Sequence, residues 1–115
     1  MRAWKDHYVK SFLETVLGPL GKADPQHEVA AADAQWIDVW FEPDPRFEVD
    51  LKRLGWLGRI SARICLFESF SEAPTDKEVR GCLRKLLTKQ HRRELEAEQN
   101  QEQGPPLPTL WVISQ

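Results

Sequence analysis

The sequence predicts an α/β fold, a small mixed sheet with one helix leading into it and a long helix crossing over it. Three observations carry this. Two apolar runs, residues 36–42 and 62–68, have the length and composition of buried strands. The first twenty residues carry an apolar stripe at helical spacing. A second helical pattern then separates residues 62–68 from a last apolar run at 109–113. Two strands joined by a crossover helix run parallel, with a right-handed connection.

Each element has its own local cause. In the first helix Trp4, Tyr8, Phe12 and Val16 recur along one line, with Val9, Leu13, Leu17 and Leu20 on the adjoining line. Gly18, Pro19 and Gly21 end it. Asp24-Pro25 reads as a turn, and residues 27–33 (HEVAAAD) as a first strand of weak propensity. In 36–42 (WIDVWFE), Trp36, Asp38, Trp40 and Glu42 share one face, and Ile37, Val39 and Phe41 share the other. Pro43-Asp-Pro45 stops that strand. A connector follows, with a short helix near 50–58 weakened by Gly55 and Gly58. Residues 62–68 (ARICLFE) form the next strand and end on Glu68. Thr75 with Glu78 three residues on is a capping box. It opens a helix over 75–99 with Val79, Leu83, Leu86 and Leu87 toward the core and Cys82 beside them. A hinge at QEQGPP leads to the last strand, 109–113. The predicted order is therefore helix, strand, strand, short helix, strand, long helix, strand.

The 115 residues and 13.4 kDa suit a single domain over 1–115. The chain stops two residues after its last apolar strand position. That abrupt end predicts either a partner that completes the sheet, as in a homodimer, or the N-terminal part of a longer protein. A formal charge of −2 excludes a globally basic nucleic-acid binder but not a local basic patch. No apolar run approaches the roughly 20 residues that span a bilayer, so no membrane partner is expected. No apolar segment of the secretory kind follows Met1-Arg-Ala-Trp-Lys-Asp-His. Cys65 and Cys82 make neither a metal spacing nor a disulfide framework, and a cytoplasmic location is expected.

Two acids stand out. Asp38 lies inside a run of Trp, Ile, Val and Phe, and Glu68 ends the other strongly apolar strand. A buried lone carboxylate is costly unless it is paired, protonated or metal-bound. Side by side on a small sheet, the two acids suit Mg²⁺ with oxygen ligands, and such an ion activates water for attack on a phosphodiester. The plainer alternative is a salt bridge from Asp38 to Arg59 or Arg63, with Glu68 merely starting a loop.

WIDVWFEP followed by CLFESF, in this order of elements, resembles the PD-(D/E)XK nuclease superfamily. Within it the chain is similar to cyanobacterial proteins related to the Rpn-like recombination-promoting nuclease and transposase group, over roughly residues 4–114. The resemblance implies a restriction-endonuclease-like core. It makes Asp38 the metal-binding aspartate and Glu68 the first acid of the (D/E)-x-K element. It implies a third carboxylate on the first helix, with Glu14 the choice, Asp6 the runner-up and Glu28 on the first strand a weaker candidate. The lysine of the element falls at residue 70, which here is Phe70. Phenylalanine cannot steady a water nucleophile or a developing phosphorane charge. A migrated lysine, Lys10 or Lys85, is the available replacement. Lys10 is also placed to make an ordinary surface pair with Glu14, four residues on.

The remaining signals read as structure. RGCLRKLLTKQHRR holds six Lys or Arg residues and no acid, but a helix spreads them around its polar side. His7, His27 and His91 share no ligand spacing, and Trp4, Trp36, Trp40 and Trp56 sit mostly in apolar patterns that suit a core. Gly55-Trp56-Leu57-Gly58 is not a phosphate loop. The expected function is a degenerate nuclease-fold domain, weakly active or inactive, serving as a structural or interaction module. The alternative is a Mg²⁺-dependent DNA endonuclease linked to transposition or recombination, with Asp38, Glu68 and Lys10 as catalytic residues, Asp38, Glu68 and Glu14 on the metal, and no small-molecule cofactor. Little cleavage is expected unless a lysine has replaced the one missing at Phe70.

Overall fold

The computed structural model describes residues 2–30, 35–103 and 106–114. Helix α1 (Arg2–Leu17) runs through one turn of 3-10 helix into strand β1 (Gly21–Ala30), which is followed by β2 (Gln35–Pro43). Two short helices, α2 (Glu48–Lys52) and α3 (Trp56–Ile60), lead to β3 (Cys65–Phe70). The long helix α4 (Asp76–Gln99) then crosses to β4 (Thr109–Ser114). The four strands form one sheet in the order β1-β2-β3-β4. β2 is antiparallel to both β1 and β3, and β3 and β4 are parallel, as the crossover requires. This is a small mixed α/β domain. No helix among the described residues is long and apolar enough to cross a membrane.

Several local expectations are corrected. Asp24-Pro25 is not a turn but the middle of β1, with Pro25 opposite Val39. Because β1 is an edge strand, the N–H that proline lacks can face away from the ladder. Residues 31–33 of the expected first strand, the centre of the expected hinge and the side chains of Trp4, Asp6, His7 and Glu28 lie outside the described residues. The single short helix near 50–58 is two helices, divided where Gly55 takes a φ of 66°. α3 packs so close to α2 that a Cβ on Gly58 would overlap the Leu51 carbonyl. β3 begins at Cys65 and continues past Glu68 to Phe70.

The core has two parts. On the α1 side, Leu13 and Leu17 pack on Val39, Phe41, Cys65 and Phe67, with Leu51 and Leu57 closing the end. Tyr8 and Phe12, on the neighbouring line of α1, are exposed. On the other side Ile37, Trp40 and Leu66 gather beneath Leu86 and Leu110. Ile37 thus joins Trp40 rather than Val39, and the alternation of β2 breaks between them. Trp36 and Trp56 are exposed rather than core.

α4 is begun by the predicted cap, with Thr75 accepting from the Glu78 N–H and the Glu78 carboxylate accepting from the Thr75 N–H. Its inward face keeps Leu86 and Cys82, as expected, but not the rest of the expected apolar set. Val79, Leu83 and Leu87 are exposed, and the inward line is Cys82, Lys85, Leu86, Lys89, Gln90, Arg93 and Ala97. Gln90 and Arg93 reach the Pro108 and Pro106 carbonyls of the segment that leads into β4. The polar partners waiting on the sheet side have turned the helix away from its most apolar stripe.

Candidate functional site

The site lies where β2 and β3 part. Their register runs Phe41–Cys65, Trp40–Leu66 and Val39–Phe67, and stops there. The next two residues, Asp38 and Glu68, satisfy the opened backbone with their side chains. The Asp38 N–H donates to Glu68 Oε2 at 3.3 Å, and the Ser69 N–H donates to Asp38 Oδ2 at 2.9 Å. The Ser69 hydroxyl donates to the same Oδ2 at 3.4 Å. Buried N–H groups need partners, and here the two acids supply them. The exchange also locks the two carboxylates beside each other.

A lysine reaches each acid from a different helix. Lys85 Nζ of α4 donates to Glu68 Oε1 at 2.7 Å. Lys10 Nζ of α1 lies 3.5 Å from Asp38 Oδ1. The helices flank the fork from two sides, so one lysine faces each acid. Each carboxylate oxygen has a partner.

Glu68 is 2% exposed, the most deeply buried member of the cluster. Burial pushes its carboxyl up to about 7, with the Asp38 charge adding to the rise, against the pull of the Lys85 ammonium and the Asp38 N–H. The Cys82 thiol, one turn before Lys85, is pushed up to about 11, by burial first and then by Glu68, and stays a thiol.

The sequence candidates divide accordingly. Asp38, Glu68 and Lys10 come together, and Asp38 takes Lys10 as its cation rather than Arg59 or Arg63. Lys85, one of two lysines able to replace the one lost at Phe70, stands at Glu68. Glu14 does not join: among the described residues no three His, Cys, Asp or Glu side chains gather in a way that would hold a metal. One turn of α1 separates Glu14 from Lys10, and it is Lys10 that reaches the fork. Ser69 was not legible as a site residue, since its part depends on the end of the β2–β3 ladder. The basic run forms no common face: Lys85 and Lys89 turn inward, while Arg80, Arg84 and Arg92 are exposed.

Mg²⁺ asks little of a protein, commonly one or two carboxylates, with waters and substrate phosphate oxygens completing its octahedron. Asp38 and Glu68 meet that requirement. Searches of family models, curated proteins and solved structures find no match to this chain.

Proposed function

We propose that the chain is a nuclease-like domain that hydrolyses phosphodiesters with a divalent metal, DNA being the substrate class. The single observation behind this reading is the Lys85–Glu68 contact beside Asp38. It brings to the acidic pair the ammonium that Phe70 does not supply. In this reading Asp38 and Glu68 hold Mg²⁺, which supplies an activated water and a Lewis acid when bound. Lys85, released from Glu68, presents its ammonium to the charge that develops on the phosphoryl oxygens. Lys10 approaches from α1 and offers a second positive group to the substrate phosphate. Glu68 must give up its proton before it can serve as a ligand, so metal affinity rises as pH passes through the range of its titration.

A second reading has its own support. Each carboxylate oxygen already has an internal partner, so the four side chains can equally serve to close the fork of a domain that has lost its reaction. Such a domain would act as a structural or interaction module, as a homodimer or otherwise. Nicking of supercoiled plasmid in Mg²⁺ or Mn²⁺ separates the two. Nicking is expected of the parent and not of Asp38→Asn, with Lys85→Met reduced by about 10²–10³-fold, the usual loss on removing one such electrostatic group. A parent that neither nicks DNA nor gains thermal stability from either metal leaves the non-catalytic reading.

A further inference from the structure

A second polar cluster lies one helical turn along α4 from Lys85, and the proposed phosphodiester chemistry makes no use of it. His27 on β1 stands between Asp24 of the same strand and Lys89 of α4. Its Nδ1 is 2.6 Å from Asp24 Oδ2, and its Nε2 is 3.0 Å from Lys89 Nζ. These two contacts assign the tautomer. Asp24 is an acceptor only, so Nδ1 carries the hydrogen, and Nε2 presents its lone pair to the lysine. The imidazole is stacked on Trp40, with ring centroids 5.2 Å apart and planes 13° from parallel. Trp40 is pinned in turn by its indole N–H, which donates to Glu42 Oε2 at 3.0 Å. The Lys89 nitrogen sits 4.4 Å above the centre of the same indole.

The arrangement is an acid, an imidazole and an amine in a row, with the aromatic wall fixing the imidazole plane. In chemistry of this kind a carboxylate orients a histidine, and the histidine takes a proton from the nucleophile. Burial holds the Lys89 amine below the usual lysine range. Arg92 and Arg93 add to that lowering, against the opposing influence of Glu96 and Glu42. Lys89 as a residue is half-buried.

We propose that Lys89 is a nucleophilic amine, served by His27 and Asp24, that accepts acyl groups from small thioesters. The Lys89 ammonium passes a proton to His27 Nε2, and Asp24 stabilises the resulting imidazolium. The free amine then attacks the thioester carbonyl, forming a C–N bond as the C–S bond breaks, and its second proton goes to the departing thiolate. The products are the Lys89 amide and a thiol, with one proton released to solvent from the ammonium. No oxidant, reductant or metal takes part.

The test is timed exposure of the full chain to N,S-diacetylcysteamine near neutral pH, with acetylation followed at every lysine by mass spectrometry. Five other lysines are internal references: Lys22, Lys52 and Lys77 are exposed, the first two in surface pairs with Glu42 and Glu48, and Lys10 and Lys85 are held by Asp38 and Glu68. Lys89 is expected to acetylate several-fold faster than Lys52 or Lys77. His27→Gln should bring Lys89 down to the rate of Lys52, leave the exposed lysines unchanged, and so report on the base rather than on the fold. Lys89 reacting no faster than Lys52 in the parent overturns the proposal without any variant. So does a Lys89 rate that His27→Gln leaves unaltered in a protein whose far-UV circular dichroism matches the parent.

Discussion

Glu68 is the residue on which most of the site's physics converges. It is buried, it accepts from Lys85 and from the Asp38 N–H, and its carboxyl is pushed up from the ordinary 4.5 to about 7. A group that holds its proton more tightly folded than unfolded stabilises the fold most below its unfolded value. That stabilisation is lost as pH rises through its folded value. The Glu68 contribution is therefore full below about pH 4.5, falls through the interval up to about 7, and is absent above it. Glu68→Gln should flatten this part of the stability profile, seen as a smaller fall in urea midpoint between the two ends of that interval. An unchanged profile would mean that Glu68 titrates normally. Asp38 and Glu68 were visible in the sequence because each breaks an apolar run. Ser69 was not, since a serine after an acid carries no signal until the ladder is known to end at Val39–Phe67.

At the level of elements, α4 separates what is local from what is not. Its beginning is local: Thr75 and Glu78 satisfy each other's N–H groups. Thr75→Ala should therefore cost about 0.5–2 kcal/mol in a thermal or denaturant melt. Its inward face is not local. Counting apolar residues selects Val79, Leu83, Leu86 and Leu87; Leu86 packs on the sheet, and the other three are exposed because the sheet offers Glu68 and His27 to Lys85 and Lys89. The connector shows a second tertiary demand. Gly58 lies against the Leu51 carbonyl with no room for a side chain. Gly58→Ala should destabilise by about 1–3 kcal/mol as α2 and α3 are forced apart, although alanine is the better helix former. A melt equal to the parent's would show that the two helices have slack.

For the molecule as a whole, the fork between β2 and β3 brings together parts remote in sequence. Lys10 comes from α1, Asp38 from β2, Glu68 and Ser69 from β3, and Lys85 from α4. An ion held by Asp38 and Glu68, brought together only by the fold, binds the folded chain and not the unfolded one. Mg²⁺ at one hundred times its dissociation constant should then add about 2.7 kcal/mol of stability. The gain should grow with pH as Glu68 gives up its proton, since burial holds that proton up to about pH 7. Melting curves with and without Mg²⁺, below and above that pH, measure this directly. Asp38→Asn should abolish the gain. An equal gain in parent and variant would place the ion elsewhere.

By itself the sequence determined the α/β class, the order of the strands and of the two long helices, the parallel pairing of the last two strands and the start of α4. Each depends on residues close along the chain: apolar runs, helical spacing, a cap and a crossover too long for a hairpin. Only the tertiary structure decided that Pro25 lies inside an edge strand and that Ile37 changes sides. It alone decided that α4 turns Lys85 and Lys89 toward the sheet beside Leu86 while Leu83 and Leu87 stay exposed, and that Lys10 and Lys85 both end at the acids. The physical reason is the same throughout. Whether a proline, a carboxylate or a lysine is tolerated at a position depends on the partner across from it, and periodicity along one strand or helix contains nothing about that partner.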